Sequence, residues 1–312
     1  MSSLARSALI ALAFLSVPAQ AQSESERVLA DDPPLISQRL HLVDLPQATG
    51  PAESLFNGRD LQGWTSWLGY KDPSLTYREK PAEPIGAGQG IGTIFKVVDE
   101  DGAPALYVNG KTWGSLVNER VLENYHLRLQ YKWSGKRYAP RLEEPENNGL
   151  LYHSDGAPGS VFGTWMPAVE FEIMKGSTGM VVPVGSHIKV KTEVARDPSI
   201  IFPHRRYMAG GREIVVEQPA WNVENARDAE HPIGVWNTLD LYVLGDRAIH
   251  VVNGVPVMEV HGLTTSDPAT GETRPLTRGR IQFQSEGAET FFRNIVVEPI
   301  TALPRIVATA GR

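Results

Sequence analysis

The feature that most constrains the fold of this chain is a two-residue alternation of apolar and polar side chains, repeated in many short segments. In Tyr125–Trp133 every second residue is apolar, which is the period of a half-buried β-strand. Gly245-Asp246 and Asn253-Gly254 separate further alternating segments, and Asn-Gly is a strong hairpin signal. We find no long helical period. Many short strands with turns between them predict an all-β fold, an antiparallel sandwich or jelly roll.

The first 21 residues have the pattern of a cleavable secretory signal peptide. Arg6 supplies a positive charge, residues 8–17 form an apolar core too short to span a bilayer, and Ala19-Gln20-Ala21 is a small-x-small cleavage site. The sequence contains no cysteine, which excludes both disulfides and a lipoprotein anchor. We therefore expect a periplasmic or secreted protein with no membrane anchor.

The rest of the chain divides by composition. Residues 22–50 are polar and contain prolines, so we expect an arm or linker; 51–300 carry the alternation of one domain; 301–312 should form a tail that frays. Two long segments, 72–92 and 196–232, are expected to build the walls of a cleft. The net charge of -6 argues against nucleic acid as a partner, because phosphates require a basic face.

Two glutamates on one predicted strand are the first candidates for catalysis. Glu170 and Glu172 alternate with apolar residues, so both carboxyl groups should share one face of the strand, about 6.5–7 Å apart at Cβ. Two carboxyl groups at that separation can act as acid and base, or as nucleophile and acid, across one sugar bond. The alternative is the solvated acidic face of an edge strand, because surface glutamate is common.

Several short motifs occur in order between Ser54 and Pro299. They are Ser54–Trp64 (SLFNGRDLQGW), Asn148–His153 (NGLLYH), Pro167–Glu172 (PAVEFE), Trp236–Thr238 (WNT) with Asn253-Gly254, and Gly279–Gly287 (GRIQFQSEG) with Phe292–Ile295 (FRNI). As an ordered set they resemble the 3-keto-disaccharide hydrolase domain family, which implies a concanavalin-A-like jelly roll. One departure is Glu286, since many relatives have histidine in a Gln-x-His-Gly motif there.

The resemblance implies an enzyme that cleaves the glycosidic bond of a 3-keto-glycoside or 3-keto-disaccharide. A ketone at C3 acidifies the C2 hydrogen, so a base can remove it, the C1–O bond can break by elimination, and water can add afterwards. This route requires a base, an acid and donors to the enolate oxygen. Direct hydrolysis through an oxocarbenium ion also requires two carboxyl groups. As partners the resemblance implies the oxidised substrate and, indirectly, a sugar 3-dehydrogenase that makes it.

Further site residues are predicted from their positions on strands and near loops. His153 could transfer a proton, because its unperturbed pKa lies near 6.5; the alternative is a histidine bonded at a strand end. Trp165 and Trp221 lie near predicted loops and could stack on sugar rings. Arg293 could contact substrate; the alternative is that it pairs with a carboxylate and stabilises the sheet. The predicted substrate-binding residues are Gln284, Glu286, Trp165, Trp221, Asn148 and Arg293.

The sequence predicts no cofactor with certainty. Glu286 could join Glu170, Glu172 or His153 around a hard divalent cation such as Ca²⁺ or Mg²⁺, but no metal-ligand spacing is present, so no metal ligands are assigned. The main alternative function is a non-catalytic, lectin-like carbohydrate-binding module, because a jelly roll serves both roles. A third is a glycosidase for unoxidised glucans, but its usual E-x-D-x-x-E pattern is broken by Lys175.

Overall fold

The computed structural model describes residues 31–78, 82–217 and 220–311, so the predicted signal peptide lies outside the described residues. Apart from one short 3₁₀ helix at Pro73–Leu75, the regular structure in these ranges is β-strand. None of the described segments forms a helix with the length and apolar character of a membrane span. The strands are β1 (Gln38–Val43), β2 (Glu53–Ser54), β3 (Trp64–Leu68), β4 (Gly86–Ala87), β5 (Phe95–Glu100), β6 (Ala103–Val108), β7 (Gly114–Asn118), β8 (Tyr125–Arg137), β9 (Asn147–Ser154), β10 (Ala168–Met174), β11 (Val181–Val184), β12 (Ile188–Arg196), β13 (Arg205–Tyr207), β14 (Arg212–Val216), β15 (Asn237–Leu244), β16 (Arg247–Val252), β17 (Val255–Ser266), β18 (Thr273–Pro275), β19 (Arg280–Ser285), β20 (Ala288–Pro299) and β21 (Arg305–Ala310).

Two large antiparallel sheets pack face to face. One has seven strands in the order β11-β10-β9-β19-β7-β3-β4, and the other has twelve strands with β8, β15, β16, β17 and β20 at its centre. Between the sheets, the rings of Phe283 and Phe292 stack with centroids 4.4 Å apart, and Phe171 stacks on His250 at 4.3 Å. The antiparallel β-sandwich expected from the sequence is therefore confirmed.

The alternation that predicted the strands also determines which side chains form the core. In β8 the residues Leu127, Leu129 and Tyr131 are buried between the sheets, whereas Arg128 points outward and is exposed. The two expected hairpin turns connect β15 to β16 and β16 to β17, and Asn253 at the second turn has the positive φ of 49° that such turns require. Burial of one face of each strand thus stabilises the sandwich.

Both ends of the described chain belong to the folded structure. Strand β21 pairs with β1 over six residues, from Gln38–Ala310 to Val43–Arg305. The expected fraying of the tail is therefore wrong, because the tail finds an antiparallel partner in the arm. Upstream of β1, the buried Asp32 carboxylate accepts a hydrogen bond from Arg205 Nε at 2.7 Å and also contacts Arg212. The exact boundaries of the domain stay a prediction.

Replacing Asp32 by alanine should destabilise the whole sandwich, since the buried Arg205 would lose a carboxylate partner. Breaking a buried ion pair of this kind costs about 3 kcal/mol, so the free energy of unfolding measured in denaturant should fall by roughly that amount. Asp31→Ala is the matched control, because Asp31 is exposed. Equal stability of the two variants would show that the arm is not anchored in this way.

Candidate active site

A cavity of about 980 Å³ lies over the face of the seven-stranded sheet that points away from the twelve-stranded sheet. Strands β9, β10 and β19 form its floor and contribute Asn147, Glu170, Glu172 and Gln284. The two long segments singled out in the sequence supply parts of its walls, as expected: Tyr77 comes from the first, and Ile201, Val216 and Trp221 come from the second.

The strand register brings the two predicted carboxyl groups together above a glycine. Glu172 pairs with Gly149 of β9, and Glu170 pairs with the next outward-facing residue, Leu151. A Cβ atom at Gly149 would collide with Glu170 Oε1 and with Gln284 Oε1 of the neighbouring strand. The missing side chain at Gly149 therefore makes the space into which the polar groups of three strands converge.

Glu170 and Glu172 are almost completely buried, with 4% and 5% of their surfaces exposed. Burial raises the pKa of both carboxyl groups well above the ordinary value, and the neighbouring acids Glu172 and Glu286 raise that of Glu170 further. Arg141 opposes this shift but does not cancel it. The pair therefore keeps a proton at pH values at which a surface glutamate has lost it, as proton transfer to a leaving group requires.

Glu286 is held beside this pair by an ion pair and two further hydrogen bonds. Arg141 Nη2 lies 2.5 Å from Glu286 Oε1, and the Tyr77 hydroxyl donates to the same oxygen at 2.9 Å. The backbone N–H of Glu286 donates to Asn148 Oδ1 at 2.6 Å, while Asn148 Nδ2 donates to Ala288 O at 2.9 Å. Asn148 is fully buried beneath the floor, where it positions Glu286, so the structure does not bring it into the cavity with the other predicted substrate-binding residues.

The cavity contains polar atoms that have no hydrogen-bond partner among the described residues. The unpartnered donors include Arg141 Nε and Trp165 Nε1, and the unpartnered acceptors include Asn147 Oδ1 and Gln284 Oε1 together with one oxygen each of Glu170 and Glu172. Buried polar groups are rarely left without a partner in folded proteins. Donors and acceptors gathered in one cavity are suited to a ligand with several hydroxyl or carbonyl groups.

Six of the predicted site residues line this one cavity: Glu170, Glu172, Gln284, Glu286, Trp165 and Trp221. Trp165 packs in an aromatic cluster, with its ring centroid 6.2 Å from that of Trp113 and 6.0 Å from that of Tyr77. Trp221 lies among the aliphatic lining residues contributed by the second long segment. The roles of these six residues stay predictions, but their position around one cavity supports assigning them to one site.

His153 does not line the cavity. Its backbone has a φ of 52°, and β9 and β19 shift register beside it, so the alternation that would place it next to Leu151 is broken. The buried ring instead lies with Nε2 3.3 Å from the carbonyl oxygen of Gly245, and burial lowers its pKa to about 4. The structure therefore does not bring His153 together with Glu170 and Glu172, and the alternative of a histidine bonded at a strand end matches its position.

Arg293 also does not line the cavity, and its strand β20 pairs with β8 and β6 in the twelve-stranded sheet. Its guanidinium carbon lies 3.8 Å from the ring centroid of Trp236, and Nε donates to Gln130 Oε1 at 2.9 Å. The structure therefore does not bring Arg293 together with the other predicted substrate-binding residues. Arg293 contacts the ring of Trp236 and the amide of Gln130, and these contacts take the place of the ion pair with a carboxylate considered from the sequence.

The sequence reasoning missed Tyr77, Arg141, Asn147 and Gly149. Tyr77 and Arg141 lie outside the strands, so no alternation marked them. Gly149 and Asn147 belong to β9, and their position opposite the Glu170–Glu172 strand follows only from the pairing register. The signal that could have identified Arg141 was the need of a buried acid such as Glu286 for a cationic partner.

Among the residues that the structure describes, no group of three or more histidine, cysteine, aspartate or glutamate side chains could hold a metal ion. The unpartnered oxygens of Glu170, Glu172, Asn147 and Gln284 are nevertheless of the type that Ca²⁺ and Mg²⁺ prefer. A divalent cation therefore stays a prediction for chelation experiments to test.

A family model described as a 3-keto-alpha-glucoside-1,2-lyase-like domain matches residues 51–298. A comparison with curated proteins gives no match. Similar solved structures include a candidate glycosyl hydrolase from Parabacteroides distasonis, 16% identical with a TM-score of 0.45, over 80% of this chain and 94% of that chain. A Bacillus subtilis protein with a galectin-like fold is 10% identical with a TM-score of 0.45, over 82% and 99% of the two chains. The carbohydrate-binding module CBM66 from Bacillus subtilis is 10% identical with a TM-score of 0.39, over 76% and 95%.

The raised pKa values should make stability depend on pH. At Glu170 and Glu172 the folded state holds more protons than the unfolded chain, so the contribution of these two groups to the free energy of unfolding should decrease as the pH rises above about 4.5, the ordinary glutamate value. The Glu170→Gln/Glu172→Gln variant lacks this dependence. It should therefore melt above the wild type at about pH 8, by about 2–4 °C for each kcal/mol removed, and the difference should shrink towards about pH 5.

Thermal melting across this pH range is the measurement, and Glu119→Gln is the control because Glu119 is exposed. Parallel pH profiles of the wild type and the double variant would contradict the raised pKa values.

Proposed function

Because the chain belongs to the family of 3-keto-alpha-glucoside-1,2-lyase-like domains, we propose that it is an exported carbohydrate-active enzyme that cleaves the glycosidic bond of 3-keto-glycosides, including 3-keto-disaccharides. The observation that carries the proposal is the buried carboxyl pair Glu170 and Glu172, whose pKa values are raised by burial, in a cavity of unpartnered polar groups. Perturbed acids in a cavity are typical of catalytic sites.

In the proposed reaction the ionised member of the carboxyl pair removes the C2 hydrogen as a proton. The C–H electrons form an enolate, with the negative charge on the C3 oxygen. As the enolate collapses, a double bond forms between C1 and C2, the C1–O bond breaks, and the protonated carboxyl gives its proton to the departing oxygen. The products are the free alcohol and a 2-hydroxy-3-keto-glycal, and water adding across the new double bond gives the 3-keto sugar.

The surroundings of the pair support this division of roles. Both carboxyl groups lie on one face of β10, so they can reach a C2 hydrogen and a glycosidic oxygen, which are attached to adjacent carbon atoms. Arg141 Nε and Trp165 Nε1 are donors that an enolate or hydroxyl oxygen can use. Because the pair is coupled by its like charges, protonation of one member favours ionisation of the other once substrate is bound.

The alternative of a lectin-like binding module accounts less well for the carboxyl pair. A binding module requires aromatic surfaces and hydrogen-bonding groups, and Trp165, Tyr77 and Gln284 would supply these. Burying two carboxyl groups with unpartnered oxygens lowers stability, and a binder gains nothing from their raised pKa values. An acid–base enzyme does gain, which favours catalysis over binding alone.

A glycosidase for unoxidised glucans is also less favoured by the site. Lys175, which breaks the usual acidic pattern, lies with Nζ 3.1 Å from Glu230 Oε2 and does not line the cavity. The third carboxylate near the pair is Glu286, which comes from the segment after β19 and is paired with Arg141. Its charge is thus partly neutralised before substrate binds.

We further propose where the enzyme acts and which reaction supplies its substrate. The predicted signal peptide at residues 1–21 would deliver the enzyme to the periplasm or the medium. A sugar 3-dehydrogenase would have to supply the substrate, because the C2 hydrogen becomes acidic only after oxidation at C3.

The activity is tested with 3-keto-trehalose, unmodified trehalose and a β-glucan, with and without EDTA. We expect release of glucose from 3-keto-trehalose alone, and deuterium at C2 of the product in D₂O beyond the exchange of free product. Cleavage of an unmodified glycan would contradict the proposal. Loss of turnover in EDTA, restored by Ca²⁺ or Mg²⁺, would add a cation to the site, while binding without turnover would favour the lectin-like alternative.

Glu170→Gln and Glu172→Gln should each lower kcat/KM for the keto-glycoside by about 10²–10⁴-fold, the usual contribution of a general acid or base. Binding measured by calorimetry should remain, because the amide keeps the shape and hydrogen-bonding capacity of the side chain. Glu119→Gln is again the exposed control. Retention of more than about a tenth of the activity in either variant would contradict its role in proton transfer.

A further inference from the structure

The cavity has two chemically different halves, and the second half begins directly beside the carboxyl pair. Val182 of β11 is the pairing partner of Glu170, and Val184 is the partner of Ala168 on the same strand. These side chains line the cavity together with Met180, Ile188, Val216 and Trp221. We call this set the apolar wall.

The apolar wall carries no unpaired charge among the described residues that line it. The charged residues at its rim are Lys189 and Glu217, and they pair with each other, with Nζ 3.1 Å from Oε2. Ser186 is exposed at the same rim. A sugar ring against this wall would therefore find few side-chain partners for its hydroxyl groups, and a buried hydroxyl without a partner lowers affinity.

The cavity is also large enough to hold a second group, the aglycone, beside the keto-sugar ring. Its volume of about 980 Å³ is at the upper end of ligand pockets. The polar half, with Glu170, Glu172, Gln284 and Arg141, has the groups that a keto-sugar requires. With a keto-sugar in the polar half, the apolar wall would face the group on the other side of the glycosidic oxygen.

We propose that the apolar wall is the aglycone subsite and that it prefers an uncharged alkyl or aryl group to a second sugar. The inference rests on the proposed function, because it takes the glycosidic oxygen to lie near the carboxyl pair. Burial of apolar aglycone surface against Val182, Ile188 and Trp221 stabilises both the bound state and the transition state, so the preference should appear in kcat/KM.

The test compares methyl and n-hexyl 3-keto-glucosides, each as both anomers, with 3-keto-trehalose. The two alkyl leaving groups have similar intrinsic reactivity, so their comparison isolates the contacts of the aglycone. We expect kcat/KM to be about tenfold or more higher for the hexyl than for the methyl glucoside, since a hydrophobic pocket discriminates a single methylene by about tenfold or more. Equal values would overturn the inference, as would tighter binding of 3-keto-trehalose than of the hexyl glucoside to the Glu170→Gln variant, a comparison that leaving-group reactivity does not affect.

Val182→Thr preserves the shape of the side chain and adds a hydroxyl, so the hexyl-to-methyl ratio of kcat/KM should fall by about threefold or more. Val215→Thr is the matched control, because Val215 lies on the exposed side of β14 and does not line the cavity. The ratio does not change if a variant simply loses part of its folded population. An unchanged ratio in Val182→Thr would count against the wall as the subsite.

Failure of the proposed function would be visible separately, as the absence of turnover for every keto-glucoside. In that case calorimetry of the same methyl and hexyl compounds decides the inference. Tighter binding of the hexyl compound, with a more negative heat capacity change, would support the apolar wall, whereas equal affinity would overturn it.

Discussion

The arrangement of the site depends on the absence of a side chain at Gly149. Three strands bring polar groups to this point, and any Cβ atom there would occupy the space of Glu170 Oε1 and Gln284 Oε1. The close approach of these oxygens is the reason that only glycine fits here, because the backbone of Gly149 does not have the positive φ that favours glycine. Two buried carboxyl groups can therefore share one small volume, and their burial in that volume is what raises their pKa values.

Such a site is costly to build, and the surrounding structure holds it in place. Beneath β10, His250 stacks on Phe171 and lies with Nε2 3.1 Å from the Tyr152 hydroxyl, which ties the two sheets together under the carboxyl pair. At the end of β10, the buried Glu230 carboxylate accepts hydrogen bonds from Trp133 Nε1 at 2.9 Å and from the Gly176 N–H at 2.8 Å. A rigid support of this kind keeps catalytic groups in place before the substrate arrives.

The sequence predicted those features that follow from the two-residue period. The sandwich, the shared face of Glu170 and Glu172 and the contribution of Gln284 to the cavity all depend on regular alternation along a strand. The prediction failed for His153, where a positive φ and a register shift break the alternation. It could not find Arg141, because a residue outside the strands is positioned by its partner Glu286 and not by any local pattern. Pairing of β21 with β1 was missed for a related reason, since long-range register leaves little trace in either segment alone.

Infrared difference spectroscopy during a pH titration would show directly whether Glu170 and Glu172 hold a proton between them at a pH at which surface glutamates are ionised. We expect the carbonyl stretch of a protonated carboxyl group to persist at about pH 7, and this band to be absent from the Glu170→Gln/Glu172→Gln variant. Loss of every protonated carboxyl band near pH 4.5, the ordinary glutamate value, would contradict this expectation.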